Sequence, residues 1–462
     1  IIFTAFILFN YQRRVFVTDQ TQSSSFPRIN PEVSSSSHFS PNPINTIEDT
    51  GLSALFLQDL ALKILYFQGF MTGYKVAEAL CLPFTGMVDQ LLDALKRDKL
   101  VEVKSSQMGL GEGAYLYAIT GAGITHAREA LDRCQYAGPA PVPLEAYNES
   151  VLRQSRGRMF VTSRNMRQIM GDLVFGDEVF HRLGPAVNSG TSIFIYGAPG
   201  NGKTSVARAI GNQVLTQTMY IPYAIFVDGQ VITMFDSMNH QLAAEDETGP
   251  QNRGMKGRKD QRWVKIQRPF IMVGGELTLT GLDLVFNETL KFYEAPFQVK
   301  ANGGILLIDD FGRQQVRPRD LLNRWIVPLE NRIDYLSLHT GRKIEVPFDV
   351  LVMFSTNLPP KDLVDEAFLR RLRHKIEITD PDAVHYREIF MRVAAQKGVV
   401  FSDEGLNYLL KEWYAKHNRK LRASHPRDLC DQIIDISRYF SIEPVMSREM
   451  IDQAASSYFV EL

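Results

Sequence analysis

Ile193-Phe-Ile-Tyr-Gly-Ala-Pro-Gly-Asn-Gly-Lys-Thr204 is the stretch on which the reading of this chain turns. Four apolar residues form a strand buried on both faces. The next eight follow the pattern Gly-x-x-x-x-Gly-Lys-Ser/Thr. Val206, Ile210 and Val214 then recur at helical spacing. In a strand–loop–helix of this kind, glycines let the backbone curl so that successive N–H groups face inward at phosphate oxygens. The start of the following helix adds partial positive charge. The expected nucleotide-binding set is Gly197, Ala198, Pro199, Gly200, Asn201, Gly202, Lys203, Thr204 and Ser205. Lys203 is expected to bridge β- and γ-phosphates, and Thr204 to ligate Mg²⁺. A glycine-rich turn matching by chance would lack the strand before it and the helix after it.

Working outward, Gly303-Gly-Ile-Leu-Leu-Ile-Asp-Asp310 is a second apolar strand, ending in two acids. This is the Walker B pattern. Asp309 is expected to hold Mg²⁺, directly or through water, and Asp310 to polarise the attacking water. Strands are expected at Ile193–Tyr196, Ala224–Val227, Ile305–Ile308, Leu351–Phe354 and Lys375–Ile378, alternating with helices. That order implies a parallel five-stranded sheet with helices on both faces, an α/β architecture of the P-loop αβα sandwich type.

The order and spacing of further motifs resemble the AAA+ ATPases from about Asp172 to Leu462. Leu351-Val-Met-Phe-Ser-Thr-Asn357 resembles sensor 1, which implies that Asn357 helps place the water. Asp365-Glu-Ala-Phe-Leu-Arg-Arg-Leu372 resembles the arginine-finger segment of the AAA+ microtubule-severing enzymes. The resemblance implies that Arg370 or Arg371 reaches the next subunit's site. His425-Pro-Arg-Asp-Leu429 resembles sensor 2, with Arg427 on the γ-phosphate; the alternative for Arg427 is a surface ion pair with Asp428. Leu173–Gly176 is similar to the segment that lines the family's adenine pocket. What the resemblance implies is an Mg²⁺-dependent ATPase assembled as a homo-oligomeric ring, a hexamer above other sizes. The chain departs from the family at Asp310, where Glu is usual. Asp is one methylene shorter, so slow turnover is one expectation.

The chain's 462 residues exceed one ordinary core. Residues 1–50 read as a disordered or frayed tail, rich in Ser, Pro and Asn from Thr18 to Thr50; 51–136 as a small α+β domain; 137–160 as a Pro-rich linker; 161–380 as the αβα domain, with an insertion at about 229–300; and 381–462 as a helical lid. In the 51–136 segment three helices and two strands (Leu100–Val103 and Tyr115–Ile119) resemble a winged helix, with Phe84–Lys99 as the candidate recognition helix. The apolar run Ile1–Phe9 is too short to span a bilayer, and Arg13 and Arg14 follow it rather than precede it, so neither a membrane span nor a secretory leader is expected. Three cysteines without a Cys-x-x-Cys pair suggest a reducing cytoplasm.

A net charge of −1 does not advertise a nucleic-acid partner. Inside the insertion, an acidic piece, Ala244–Thr248, precedes a basic one, Arg253–Arg268, whose seven Arg and Lys residues surround Trp263. That composition suits a nucleic-acid or polypeptide grip, and equally a solvated loop. The approach to the acidic strand, Phe297-Gln-Val-Lys-Ala-Asn-Gly-Gly, is similar to that of enhancer-binding activators, magnesium chelatases and MoxR-type ATPases. The activators' GAFTGA loop is absent, so activator function is not implied. Three functions remain open: a remodeller acting on a protein partner, a DNA-linked ATPase or regulator using the winged helix, and a nucleotide-gated switch with little hydrolysis.

Overall fold

The computed structural model describes residues 39–106, 112–155, 160–171, 173–244, 259–363 and 369–459. Outside them lie residues 1–38 of the expected tail, residues 107–111, Asp172, most of the acidic piece, Arg253, Lys256 and Arg258, and Asp365–Phe368.

The N-terminal part runs α1 (Ala54–Gln68), β1 (Phe70–Thr72), α2 (Gly73–Leu80), α3 (Asp89–Arg97), β2 (Val101–Ser106), β3 (Tyr115–Ile119) and α4 (Gly121–Arg133). Side-chain oxygens of Ser53, Thr72 and Thr120 cap α1, α2 and α4, taking backbone N–H groups that the first turns leave unpaired. The three strands form an antiparallel sheet in the order β1-β3-β2. Leu57, Leu60, Ile64, Val76, Leu80, Leu91, Leu92 and Leu95 make its core with the helices.

Three expectations change here. The residues from Phe39 to Thr50 are not a loose tail: Ile44 is buried in this core, and Asp49 accepts the N–H groups of Asn45 and Thr46 at 2.9 and 3.0 Å. The candidate recognition helix is shorter than Phe84–Lys99. Gly86 sits at φ 84° and Thr85 is extended, and Asp89 accepts Gly86 N at 2.9 Å, so regular helix begins only at Asp89. The segment 137–160 is not a free spacer. Val142–Pro143 is strand β4 and Leu144–Ser155 is helix α5.

The helices α6 (Ser163–Met170) and α7 (Asp177–Ser189) lead into β5 (Ser192–Tyr196) and α8 (Lys203–Val214). Strands β6 (Thr218–Pro222), β7 (Ala224–Val227), β8 (Gln230–Thr233), β9 (Trp263–Gln267) and β10 (Phe270–Val273) follow, then β11 (Val285–Asn287), β12 (Phe292–Glu294), α9 (Phe297–Lys300) and β13 (Ile305–Ile308). After α10 (Pro318–Arg324) and α11 (Ile326–Asn331) come β14 (Ile333–Ser337), β15 (Lys343–Pro347), β16 (Leu351–Thr356), α12 (Pro360–Leu363) and β17 (His374–Glu377).

The central sheet has five parallel strands in the order β10-β13-β16-β5-β17. Alternate residues go to opposite faces, as the period of two requires. Ile193, Ile195, Ile305, Leu307 and Met353 pack under α6, α7 and α8; Phe194, Leu306, Ile308, Val352 and Phe354 pack under α10 and α11. The expected second strand, Ala224–Val227, is not in this sheet. It belongs to a separate mixed sheet of order β11-β12-β8-β7-β4, and Phe270–Val273 takes its place beside β13. The range 229–300 is therefore not one insertion, because a core strand lies inside it. Helices α13 (Ala383–Lys397), α14 (Asp403–Leu409), α15 (His425–Phe440) and α16 (Arg448–Tyr458) form the C-terminal lid around Tyr386, Phe390, Leu429 and Ile433. Among the described residues no helix is long and apolar enough to cross a membrane.

Candidate nucleotide site

Strands β5, β13 and β16 lie side by side and end at the same edge of the sheet, so the loops that follow them meet. In open parallel sheets this carboxyl edge is where ligands bind, beside the point at which the strand order reverses. Here β5 lies between β16 on one side and β17 on the other.

The loop after β5 holds glycines at φ 143° (Gly197), 81° (Gly200) and 84° (Gly202), conformations that L side chains rarely adopt. Space forbids a side chain as well. A Cβ on Gly197 would lie 2.2 Å from the Ile378 carbonyl oxygen. The loop delivers Lys203 as the first residue of α8. Its Nζ donates to the Gly197 and Ala198 carbonyls at 3.0 and 2.9 Å, and to Asn357 Oδ1 at 2.6 Å. Burial lowers the Lys203 pKa from its ordinary value, while Asp310 and Asp309 oppose that shift.

Thr204 Oγ1 lies 3.0 Å from both carboxylate oxygens of Asp309 at the end of β13. Neighbouring oxygens around an octahedral Mg²⁺, at roughly 2.1 Å from the metal, stand about 3 Å apart. The pair therefore fits two adjacent positions of such an ion, the remainder being left to phosphate and water. Among the described residues no group of three or more His, Cys, Asp or Glu could hold a metal unaided. The turn beyond β13 is pinned: Gln314 donates to the Asp309 carbonyl at 2.8 Å and accepts Gly312 N at 2.8 Å. Asp310 has φ 49° and is exposed, and its Oδ1 accepts Asn357 Nδ2 at 3.3 Å. One side chain, Asn357, thus bridges the phosphate-loop lysine and the second acid. Lys203, Thr204, Asp309, Asp310 and Asn357 form a single cluster.

The remaining candidates sit differently. Arg371 donates Nε to Glu330 at 2.6 Å, and Arg370 is exposed. Arg427 is paired with Asp428, whose other oxygen takes the Tyr458 hydroxyl at 2.9 Å. Phe175 comes to 3.6 Å of where a Cβ on Gly202 would be, placing Leu173–Gly176 against the phosphate loop. In the basic stretch, Arg262 is buried on Asp260, Thr50 O and Pro141 O, and Arg268 on Gly303 O and Gln154 O. Lys259 donates to the Tyr220 hydroxyl at 2.7 Å. These bonds tie the chain together internally. Sequence reasoning missed the contact of the lid with the tip of the phosphate loop. There Asn201 Nδ2 donates to Asp380 Oδ1 at 2.7 Å and Asn201 Oδ1 accepts Ala423 N at 3.3 Å, and Asp380 is also paired with Arg422. No local motif signals a pairing across so much chain.

Residues 382–457, the lid, match a family described as a domain of unknown function, DUF8689. No curated protein matches the sequence. Among solved structures the chain is similar to the Holliday junction branch migration motor RuvB of Thermotoga maritima, at 14% identity over 62% of this chain and 71% of that one, with a TM-score of 0.37. It is also similar to NtrX of Brucella abortus, at 14% identity over 79% of this chain and 61% of that one, with a TM-score of 0.34. The ADP complex of NtrX gives 16% identity over 71% and 65%, again at 0.34. By its own sheet and phosphate loop, the chain has the αβα sandwich of the P-loop nucleoside triphosphatases.

Proposed function

We propose that the protein is a Mg²⁺-dependent ATPase of the AAA+ type that works as a ring and remodels a protein partner. The observation that carries the chemistry is the cluster just described, with Lys203 and Asp310 both held by Asn357 and Thr204 beside Asp309.

In this reading the turned-in backbone of Gly197–Gly202 and the start of α8 bind the phosphates. Lys203 exchanges its carbonyl partners for β- and γ-phosphate oxygens. Thr204 and Asp309 hold Mg²⁺, which when bound neutralises phosphate charge. Asp310 accepts the proton of the attacking water as its oxygen bonds to the γ-phosphorus, and the bond from that phosphorus to the ADP oxygen breaks. Asn357 keeps Asp310 and Lys203 in register. An arginine from the neighbouring subunit, Arg370 or Arg371, adds positive charge to the transferring phosphoryl group.

The test is ATP binding and steady-state phosphate release with a Lys203→Ala control. No detectable ATP or ADP affinity in the wild type with Mg²⁺ present would overturn the proposal. A second reading, a nucleotide-gated switch, is favoured by the exposure of Asp310 and its short side chain. Phosphate release above the Lys203→Ala level rejects that reading. The DNA-linked reading rests on the winged helix, since Arg262 and Arg268 of the basic stretch are engaged in internal bonds.

A further inference from the structure

The turn that follows β13 is tied down on both sides of Asp310. Gln314 spans it, with Nε2 on the Asp309 carbonyl and Oε1 on Gly312 N, both at 2.8 Å. Thr356, buried at the end of β16, holds it from the neighbouring strand. The Thr356 hydroxyl donates to the Phe311 carbonyl at 2.7 Å and accepts Leu358 N at 3.2 Å. Phe311 N donates in turn to the Ser355 carbonyl at 2.7 Å. Gly312 has φ 104°, and a Cβ there would lie 2.7 Å from Leu363 Cδ2. Asp310 itself is left-handed, at φ 49°. Among residues with a Cβ, aspartate and asparagine enter that region most readily, because a short polar side chain can bond to the local backbone. From this backbone Asp310 Oδ1 already meets Asn357 Nδ2 at 3.3 Å, and the other end of the same amide takes Lys203 Nζ at 2.6 Å. A glutamate placed here would carry its carboxyl further by one carbon–carbon bond, about 1.5 Å. It would have to fold back, or push the Asn357 amide off Lys203.

We propose that Gln314 and Thr356 are positioning residues that set this turn for an aspartate, so that backbone placement takes the role of the methylene by which glutamate is longer. Asp310 faces the attacking water. Gln314 and Thr356 touch no substrate and act through it: one fixes the turn along its own chain, the other fixes it to the strand that carries Asn357. The short acid is thus matched to its turn and is not a defect of the site. The inference rests on the ATPase reading and adds that the site is specific for the shorter acid.

The experiment measures phosphate release by the full chain, together with its affinity for ADP and Mg²⁺, alone and with aluminium fluoride as an imitation of the transferring phosphoryl group. Thr356→Val and Gln314→Ala should each lower kcat by roughly 10- to 100-fold, the scale of a misplacement of up to 1 Å, with KM and ADP affinity within about twofold of wild type. The aluminium fluoride complex should weaken in step with kcat. Thr356→Ser keeps the hydroxyl and should recover most of the loss. Asp310→Glu should lower kcat by about tenfold or more in the wild-type turn, and by clearly less in the Gln314→Ala background, where the turn is free to accommodate the longer acid. Asp310 is exposed and Gln314 half-buried, so these two substitutions leave the fold standing even where Thr356→Val does not. Turnover by Asp310→Glu equal to or above wild type overturns the proposal by itself. An Asp310→Glu loss of the same size in both backgrounds, or a fall in ADP affinity that parallels kcat in Thr356→Val and Gln314→Ala, makes the two residues structural ties only and also overturns it. In each of those cases the ATPase reading stands. A wild type that releases no phosphate above the Lys203→Ala level ends the ATPase reading, and this inference with it.

Discussion

At the scale of single residues, two acids next to each other are asked to do different things. Asp309 is half-buried and hydrogen-bonded to Thr204, whereas Asp310 is exposed and turned by a positive φ toward Asn357. Asp310→Asn should leave ATP binding close to wild type and lower phosphate release by roughly 10²–10⁴-fold, the usual range for losing a general base. Equal release from the variant and the wild type would remove Asp310 from the chemistry. A different residue test concerns Arg262, one of the buried members of the basic stretch. Its pair with Asp260 has both side chains 4% exposed. Arg262→Ala leaves a buried carboxylate without its partner, so a loss of about 3–5 kcal/mol is expected in denaturant unfolding. A change near zero would mean that the pair is more solvated than its burial indicates.

At the scale of elements, the outcome of reading the sequence depends on whether the signal is local. Gly197–Thr204 and Gly303–Asp310 carry their own context: apolar run, special backbone or acid, next element. Both could be placed from eight consecutive residues, and Thr204 and Asp309 are indeed together. Ala224–Val227 was equally apolar, but an apolar run does not say which sheet it joins; its partners are β4 and β8. Phe270–Val273 hid behind Gln267-Arg-Pro269, whose Arg268 looked like part of a charged surface. Asp380 and Arg422 come together only because the lid folds back, which no window of sequence contains. Packing predictions belong at this scale too. Phe354 is fully buried between Phe194, Phe311 and Trp325 on one face of the central sheet. Phe354→Ala should cost about 3–5 kcal/mol, read as a shift in denaturant midpoint. In the lid, His425 is hydrogen-bonded to Tyr414 and held down to about 4, chiefly by burial, with Arg422 and Arg419 adding and Asp428 and Asp380 opposing. A histidine depressed in the folded state takes up its proton more readily when unfolded. The stability it contributes is present above about 6.5 and is lost as pH falls toward 4. The difference in stability between wild type and His425→Gln should change over that window. A constant difference would show that the imidazole does not titrate differently on folding.

At the scale of the whole molecule, the proposed ring makes each site depend on two subunits. Mixing Arg371→Ala chains with Lys203→Ala chains should restore part of the ATPase activity, because some interfaces then join an intact phosphate loop to an intact arginine. The same holds for Arg370→Ala if that residue is the finger. Failure to recover at any ratio, for either arginine, would count against shared sites. The DNA-linked alternative is read from binding to random duplex: a steep fall in affinity with added salt favours it, and a shallow one disfavours it.

The connector between β17 and the lid, which carries Asp380, also touches the phosphate loop at its other end, since the Ile378 carbonyl oxygen lies 2.2 Å from where a Gly197 Cβ would be. In the proposed cycle a lid that turns on this connector would pivot against the seat of the phosphates. A lever driven beside its fulcrum trades force for travel. Sub-ångström adjustments around a phosphate would sweep the far helices through a much larger arc, and a load on those helices would press back on the nucleotide with the same mechanical advantage.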